Sequence, residues 1–318
     1  MTLQHPQVET DSLSLAAGAL RAHHGICPGR PRSAAIWTGL TAVSLWLERA
    51  RLHCADPPAD ATKAAEWLLD NHHHVRRAIL QVREDMPPDF YHRLPCLSAP
   101  ECDGMPRVFL LAHGMLDAAH MQLSLSAAVH FVDAYQEGAP LTIAELWAFP
   151  AMLRLACLET LVTAFCELIP KLKMPFEASP GSDYRLTHDP TEAVSRAIST
   201  LIAVASIPWK DFFDRVSRVE KILGDDPAGV YPLMDFATRD RYRNAIEEIA
   251  LGTNVPEWDV ASKTLELAEA NTGAPRRGHV GCWLIAEGRR EIETLLGFQK
   301  TPAACARAHR RRAAAGVF

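Results

Sequence analysis

The chain has 318 residues, of which 48% are hydrophobic, and a formal net charge of −5. This composition provides the core of one large or two ordinary domains and excludes a disordered chain. The acidic balance argues against nucleic-acid binding as the main role. None of the eight cysteines forms a CxxC pair, so we expect reduced thiols in a cytoplasmic protein.

The first half of the chain predicts helices separated by breaker-rich connectors. Residues 1–32 are expected to be loosely structured, because they end in the Gly- and Pro-rich run GICPGRPR. Ser33 is placed to cap a helix that runs to about His53, and a second helix is expected from Asp60 to Met86. A connector spans 87–105, and two further helices are expected at about 106–121 and 123–137.

The most apolar stretch, residues 141–170, predicts a buried helix around which the others pack. Thr142 and Glu145 stand at capping-box spacing and are assigned as the structural cap of this helix. The stretch is also long enough to cross a membrane. However, Glu145, Arg154, Glu159 and Glu167 interrupt it, and this favours a core helix.

The second half repeats the same pattern after a linker at 175–188, which clusters Pro, Ser, Gly and Asp. Asp189 caps the next helix, and further helices are expected at about 208–224, around Tyr242, at 256–273 and at 279–296, the last interrupted by Gly288. The prediction is an all-α multi-helix bundle of about ten helices. It divides into helical subdomains at 33–174 and 189–297, which are expected to pack together, and a basic, atypical tail at 298–318.

Two groups of residues invite a chemical interpretation. Six ligand-type side chains suggest a zinc site, but neighbouring helical residues diverge by about 100° and the Cys spacing fits no known zinc motif. We therefore assign no metal to His72, His73, His74, His92, Cys96 and Cys102. The second group is a polar cluster on one amphipathic helix, which a binding site or an ordinary set of ion pairs would both explain. It consists of Asp235, Arg239, Asp240 and Arg243.

The sequence lacks the motifs of several enzyme classes. These are GxSxG of nucleophile-elbow hydrolases, the P-loop of ATPases and GxGxxG of Rossmann domains. No two aspartates stand at the D-x-D spacing that grips a divalent cation on a nucleotide sugar, and no Trp follows an Arg. The residues therefore assign no catalytic side chain and no cofactor.

Five separated segments of the chain carry a family resemblance: AEWLLDN (65–71), VREDMPPDFYHRLPCL (82–97), FVDAYQEGAPLTIAELWAFPAMLRLACLE (131–159), DPAGVYPLMDFATRDRYR (226–243) and HVGCWLIAEGRRE (279–291). In this order they resemble the N-terminal cytoplasmic region of bacterial cyclic β-1,2-glucan synthases. The resemblance covers about residues 61–296 and ends where the Ala- and Arg-rich tail begins. That tail resembles the end of a truncated or frame-shifted reading frame.

The resemblance implies a helical scaffolding or regulatory region of a polysaccharide-synthesising transferase. In the family, a membrane-embedded glycosyltransferase follows this region and polymerises glucose from UDP-glucose with a divalent cation. Its catalytic motifs match no position here, so none is carried over. Expected partners are the remaining synthase domains or another protein surface, with the chain in the cytoplasm, at the inner face of the bacterial inner membrane.

Two alternatives stay open from the sequence. One is an independent enzyme with a metal or carboxylate site in the connector at 89–103, which a stoichiometric bound metal would support. The other is a membrane-surface adaptor whose tail binds anionic lipid, since residues 298–318 hold five Lys and Arg and no acidic residue.

Overall fold

The computed structural model describes residues 6–27, 34–97, 104–176, 189–274 and 276–299. These residues are mostly helical, which confirms the all-α prediction. The α-helices are α1 (Pro6–His23), α2 (Ala34–His53), α3 (Thr62–Asp70), α4 (His72–Asp85), α5 (Pro88–Tyr91), α6 (Arg107–Ala118), α7 (Leu125–Gln136), α8 (Ile143–Leu168), α9 (Pro190–Ser206), α10 (Trp209–Val216), α11 (Arg218–Gly224), α12 (Phe236–Thr253), α13 (Glu257–Glu269), α14 (Val280–Ile285) and α15 (Arg289–Leu295). Two strands of two residues each, β1 (Ile26–Cys27) and β2 (Cys96–Leu97), pair antiparallel.

The described residues contain fifteen α-helices where about ten were expected, because three predicted helices are broken and two are additional. Asn71 separates α3 from α4, and Ser217 separates α10 from α11. The C-terminal helix is interrupted between α14 and α15, and Gly288, where the interruption was predicted, stands directly before α15. The four-residue helix α5 lies inside the predicted connector.

The expectation that residues 1–32 are loosely structured is wrong for α1. This helix packs against α6 and α7, and its Leu13 and Ala17 are buried there. Two side-chain contacts tie it to α7: Ser14 Oγ lies 2.7 Å from His130 Nε2, and Arg21 Nη1 donates to the Ala134 carbonyl. Tertiary packing of one face, which local composition does not reveal, therefore orders this segment.

The chain divides into two compact units, Met1–Pro140 with Ala144–Phe212, and Leu141–Ile143 with Phe213–Phe318. In the first unit α3 and α4 pack against α9, and α2 packs against α4. In the second unit α13 packs against α11, α12 and α14, and α14 packs against α15. The predicted linker at 175–188 lies mostly outside the described residues, and the predicted domain boundaries stay predictions.

Helix α8 forms the core of the first unit, as its apolar sequence predicted. Its Phe165 makes an edge contact with Trp46, and its Phe149 stacks on Phe212 with ring centroids 5.6 Å apart. Within the described part of the chain it is the one helix long and apolar enough to span a membrane, and 78% of its most apolar window is buried. Burial of this kind is also what a core helix requires.

Candidate functional site: two buried polar clusters

Two residues of the predicted polar cluster, Arg239 and Arg243, converge on a carboxylate that the sequence did not single out, that of Glu220 on α11. Arg239 Nη1 and Arg243 Nη1 each donate to this carboxylate at 2.8 Å, and the Tyr231 hydroxyl donates to it at 2.6 Å. Arg239 Nη2 also donates to Asp214 on α10, at 2.7 Å. We call Asp214, Glu220, Tyr231, Arg239 and Arg243 the Glu220 cluster.

Helix caps fix the elements that carry this cluster. Ser217 Oγ accepts the backbone N–H of Glu220 and so begins α11 one turn ahead of the carboxylate. Asp235 accepts the backbone N–H of Thr238 at 2.7 Å and begins α12, which carries both arginines. Because Arg239 and Arg243 are four residues apart on α12, they lie on one face of it and reach the same carboxylate.

The centre of the Glu220 cluster is buried, and its outer members Arg239 and Asp214 are partly exposed. The side chains of Arg243 and Glu220 are 1% and 3% exposed. The Arg243 guanidinium also lies over the Phe236 ring, 4.2 Å from its centroid, and donates to the Phe236 carbonyl. Burial alone would lower the pKa of Arg239, but Asp214 and Glu220 hold it above its ordinary value. Burial, and then Glu220, raise the pKa of Tyr231, so its hydroxyl stays a donor.

A second cluster surrounds Asp226, whose side chain is fully buried. Its Oδ2 accepts the backbone N–H groups of Val230 and Tyr231, at 3.0 and 3.1 Å. Its Oδ1 accepts the N–H of Val280 at the start of α14, at 3.1 Å. His279 Nδ1 lies 2.8 Å from Oδ2, and the Tyr242 hydroxyl lies 3.1 Å from His279 Nε2.

Gly281 makes room for this second group, which we call the Asp226 cluster (Asp226, Tyr242, His279 and Gly281). A Cβ at Gly281 would meet the Tyr242 hydroxyl and would lie 2.7 Å from His279 Nε2. Any larger residue would therefore displace the tyrosine or the imidazole.

The electrostatics of the Asp226 cluster favour a fixed hydrogen-bond junction. Burial alone would raise the pKa of Asp226, but the N–H groups of Val280 and Tyr231, together with His279, hold it below its ordinary value. An ionised Asp226 only accepts, so His279 donates to it from Nδ1, and the other ring nitrogen, Nε2, lies within hydrogen-bond distance of the Tyr242 hydroxyl. Burial raises the pKa of Tyr242, so its hydroxyl stays protonated. The arrangement joins a loop to two helices.

The first unit contains a buried ion pair between Arg107 on α6 and Glu145 on α8. Arg107 Nε and Nη2 donate to the two Glu145 oxygens at 2.7 and 2.6 Å, and the side chains are 1% and 0% exposed. Glu145 is the residue that the sequence assigned to a capping box with Thr142. Helix α8 begins at Ile143, directly after Thr142, and the capping contact itself stays a prediction.

The predicted polar residues have two roles in the structure, ion pairing and helix capping. Arg239 and Arg243 meet at Glu220, while Asp240 accepts from Arg243 Nε at 3.3 Å at a more exposed position. Asp235 acts as the cap of α12. Sequence reasoning missed Glu220, Asp226 and His279 as members of these clusters. One signal in the sequence could have indicated two of them: Asp226 and His279 are the first residues of the segments 226–243 and 279–291, which resemble the synthase family.

The residues considered for zinc do not converge in the described part of the chain. His72 is half-buried, with Nε2 3.8 Å from Glu48, while His73 is exposed and its ring lies against that of His74 at an interplanar angle of 42°. Cys96 is buried in the strand pair, and Cys102 lies outside the described residues. No group of three or more His, Cys, Asp or Glu among the described residues is arranged to hold a metal ion. The connector residues 98–103 and the basic tail from residue 300 onward also lie outside that part.

These observations place the chain among all-α proteins in which buried charged side chains pair with one another. Comparison with known proteins relates the chain to one of them. No family profile matches the chain. The chain is 26% identical over 325 residues to the cyclic β-(1,2)-glucan synthase NdvB of Rhizobium meliloti (strain 1021). This match covers 78% of the chain and 11% of NdvB, so the chain resembles a segment of that synthase.

Proposed function

We propose that the chain is a helical scaffolding or regulatory region of the kind found in a cyclic β-1,2-glucan synthase, and that it does not itself transfer glucose. The observation that carries this proposal is the similarity to NdvB, which extends over 78% of the chain but only 11% of the synthase. A region of this size provides one part of a larger enzyme. We place it in the cytoplasm, at the inner face of the bacterial inner membrane.

The hydrogen-bond partners of the buried carboxylates support a structural role. Glu220 accepts three hydrogen bonds from side chains of this chain, and Asp226 accepts three from backbone N–H groups. A group that serves as a catalytic base or binds a cation needs a free lone pair facing its substrate or ion. Glu220 and Asp226 instead accept hydrogen bonds from other elements of this chain, and these bonds hold the elements together.

Glycosyl transfer from a nucleotide sugar requires charge stabilisation on the departing diphosphate and a base for the acceptor hydroxyl. The sequence contains no D-x-D pair to hold a divalent cation for this purpose. We therefore expect no cofactor in this chain and propose that the complete synthase uses UDP-glucose and a divalent cation. The remaining synthase polypeptide is the proposed partner.

The test is an assay of the purified chain with labelled UDP-glucose, magnesium or manganese, and a β-1,2-linked glucose oligomer as the acceptor. Incorporation is expected to equal that of a blank without protein. Turnover that disappears in an Asp89→Asn or Asp240→Asn variant, but persists in Glu266→Gln, would contradict the proposal and establish an active site.

A further inference from the structure

The loop between α11 and α12 exposes apolar side chains although its backbone is held firmly. It contains a short 3₁₀ helix, Tyr231–Leu233, preceded by Val230. Leu233 is 87% exposed and Val230 is 44% exposed. The Leu233 N–H donates to the Val230 carbonyl at 3.1 Å, and side chains three apart in a 3₁₀ turn eclipse one another. Val230 and Leu233 therefore form one apolar surface, which we call the apolar turn.

Both buried clusters hold the apolar turn in place. Asp226 accepts the N–H groups of Val230 and Tyr231, and the Tyr231 hydroxyl donates to Glu220. Gly229 has a φ of +64°, a conformation that a side chain would strain. Single exposed leucines are common on protein surfaces. Here, in contrast, buried charged groups fix the backbone that presents Leu233.

A surface of this kind is suited to binding another protein. An apolar side chain on a rigid turn loses little conformational freedom when it enters a pocket, so binding costs less ordering than it would for a mobile loop. Residues 225–238 include the exposed Asp225 and Asp235 and contain no Lys or Arg. The complementary surface is therefore an apolar pocket bordered by basic side chains.

We propose that the apolar turn is the surface through which this region docks onto the rest of a glucan synthase. This inference rests on the proposed function, and two observations select the occupant. The match to NdvB leaves most of that synthase outside the segment that the chain resembles. The turn also lies within the resembling segment 226–243, so a turn of the same kind is expected in NdvB.

The experiment measures binding of the full chain to NdvB from which the matched segment has been deleted, purified in detergent. The wild-type chain is expected to bind, with an affinity that falls as salt is raised. Leu233→Asp is expected to weaken binding at least tenfold. The matched control is Leu251→Asp, because Leu251 is 49% exposed on α12 and lies far along that helix from the turn. Thermal melts followed by circular dichroism verify that both variants are folded.

Tyr231→Phe provides a second variant that leaves the apolar surface intact. It removes only the hydroxyl that donates to Glu220, and is expected to weaken binding severalfold because the turn is less well fixed. An effect of Leu233→Asp no larger than that of Leu251→Asp would overturn the docking inference and leave the proposed function standing. Absence of wild-type binding, or a dimer of the chain that Leu233→Asp dissociates, would also overturn it. Glucose transfer by the chain alone would instead contradict the proposed function.

Discussion

Replacing Glu220 with Gln tests whether the Glu220 cluster stabilises the second unit. The carboxylate receives three donors, the Tyr231 hydroxyl and one nitrogen each of Arg239 and Arg243, at 2.6 to 2.8 Å. The amide keeps the shape of the side chain but removes its charge and turns an NH₂ group toward one of these donors. Arg243, with a side chain only 1% exposed, then loses its closest counter-ion. Breaking a buried ion pair from one side costs about 3–5 kcal/mol.

Hydrogen exchange followed by mass spectrometry measures this cost at α11 and α12. A loss of about 3–5 kcal/mol corresponds to exchange about 10²- to 10⁴-fold faster, if these helices open as one unit. The control is Glu266→Gln, because Glu266 pairs with Lys263 at the surface, where the side chains are 62% and 40% exposed. That substitution is expected to cost about 0–1 kcal/mol.

A double-mutant cycle separates the ion pair from other effects of the substitution. Glu220→Gln and Arg243→Met are expected to be non-additive by more than about 1 kcal/mol, since each removes the partner of the other. Costs that add, or a Glu220→Gln effect equal to that of Glu266→Gln, would refute the inference that this buried contact stabilises the unit.

Three further predictions concern other sites. Gly281→Ala is expected to destabilise the second unit by about 1–3 kcal/mol, since its Cβ would lie 2.7 Å from His279 Nε2; Gly224→Ala, where the added Cβ meets nothing within 4 Å, is the control, and equal urea midpoints would contradict the close approach. Burial lowers the pKa of His24 from 6.5 to about 4, so the unfolded chain binds its proton more tightly. Stability of the first unit should therefore fall by about 1–2 kcal/mol as the pH drops from about 6.5 to about 4, and hydrogen exchange in α1 should lose this dependence in His24→Gln; an unchanged pH profile would refute the assignment. Burial raises the pKa of the Cys157 thiol, so this thiol should resist alkylation until the protein unfolds. Rapid labelling of native protein would show instead that the thiol is accessible. Reductant should leave the melting temperature unchanged, since the cysteines are expected to be reduced.

Local signals in the sequence predicted where several helices begin. Asp189 accepts the N–H groups of Thr191 and Glu192, as its position ahead of Pro190 predicted. The prolines at 106 and 256 stand directly before α6 and α13. These signals are recognisable because a cap and the groups it satisfies lie within three residues of each other.

The buried clusters could not be predicted in the same way, because their partners are distant in sequence. Arg243 lies 23 positions from Glu220, and His279 lies 53 positions from Asp226. Helical periodicity identifies which face of a helix is apolar, but it does not pair a charge on one helix with a charge on another. Ser217 illustrates the same limit, since it lies inside the helix expected at about 208–224 and yet separates α10 from α11 and caps α11.

The most direct test of the proposed role replaces the matched segment of NdvB with this chain. Membranes containing NdvB without that segment, NdvB carrying this chain in its place, and intact NdvB would be assayed for cyclic β-1,2-glucan formation from labelled UDP-glucose. If the chain acts as a non-catalytic region of such a synthase, deletion should abolish or strongly reduce ring formation and the chimera should restore it. A folded, membrane-associated chimera that makes no more glucan than the deletion would contradict the proposed role.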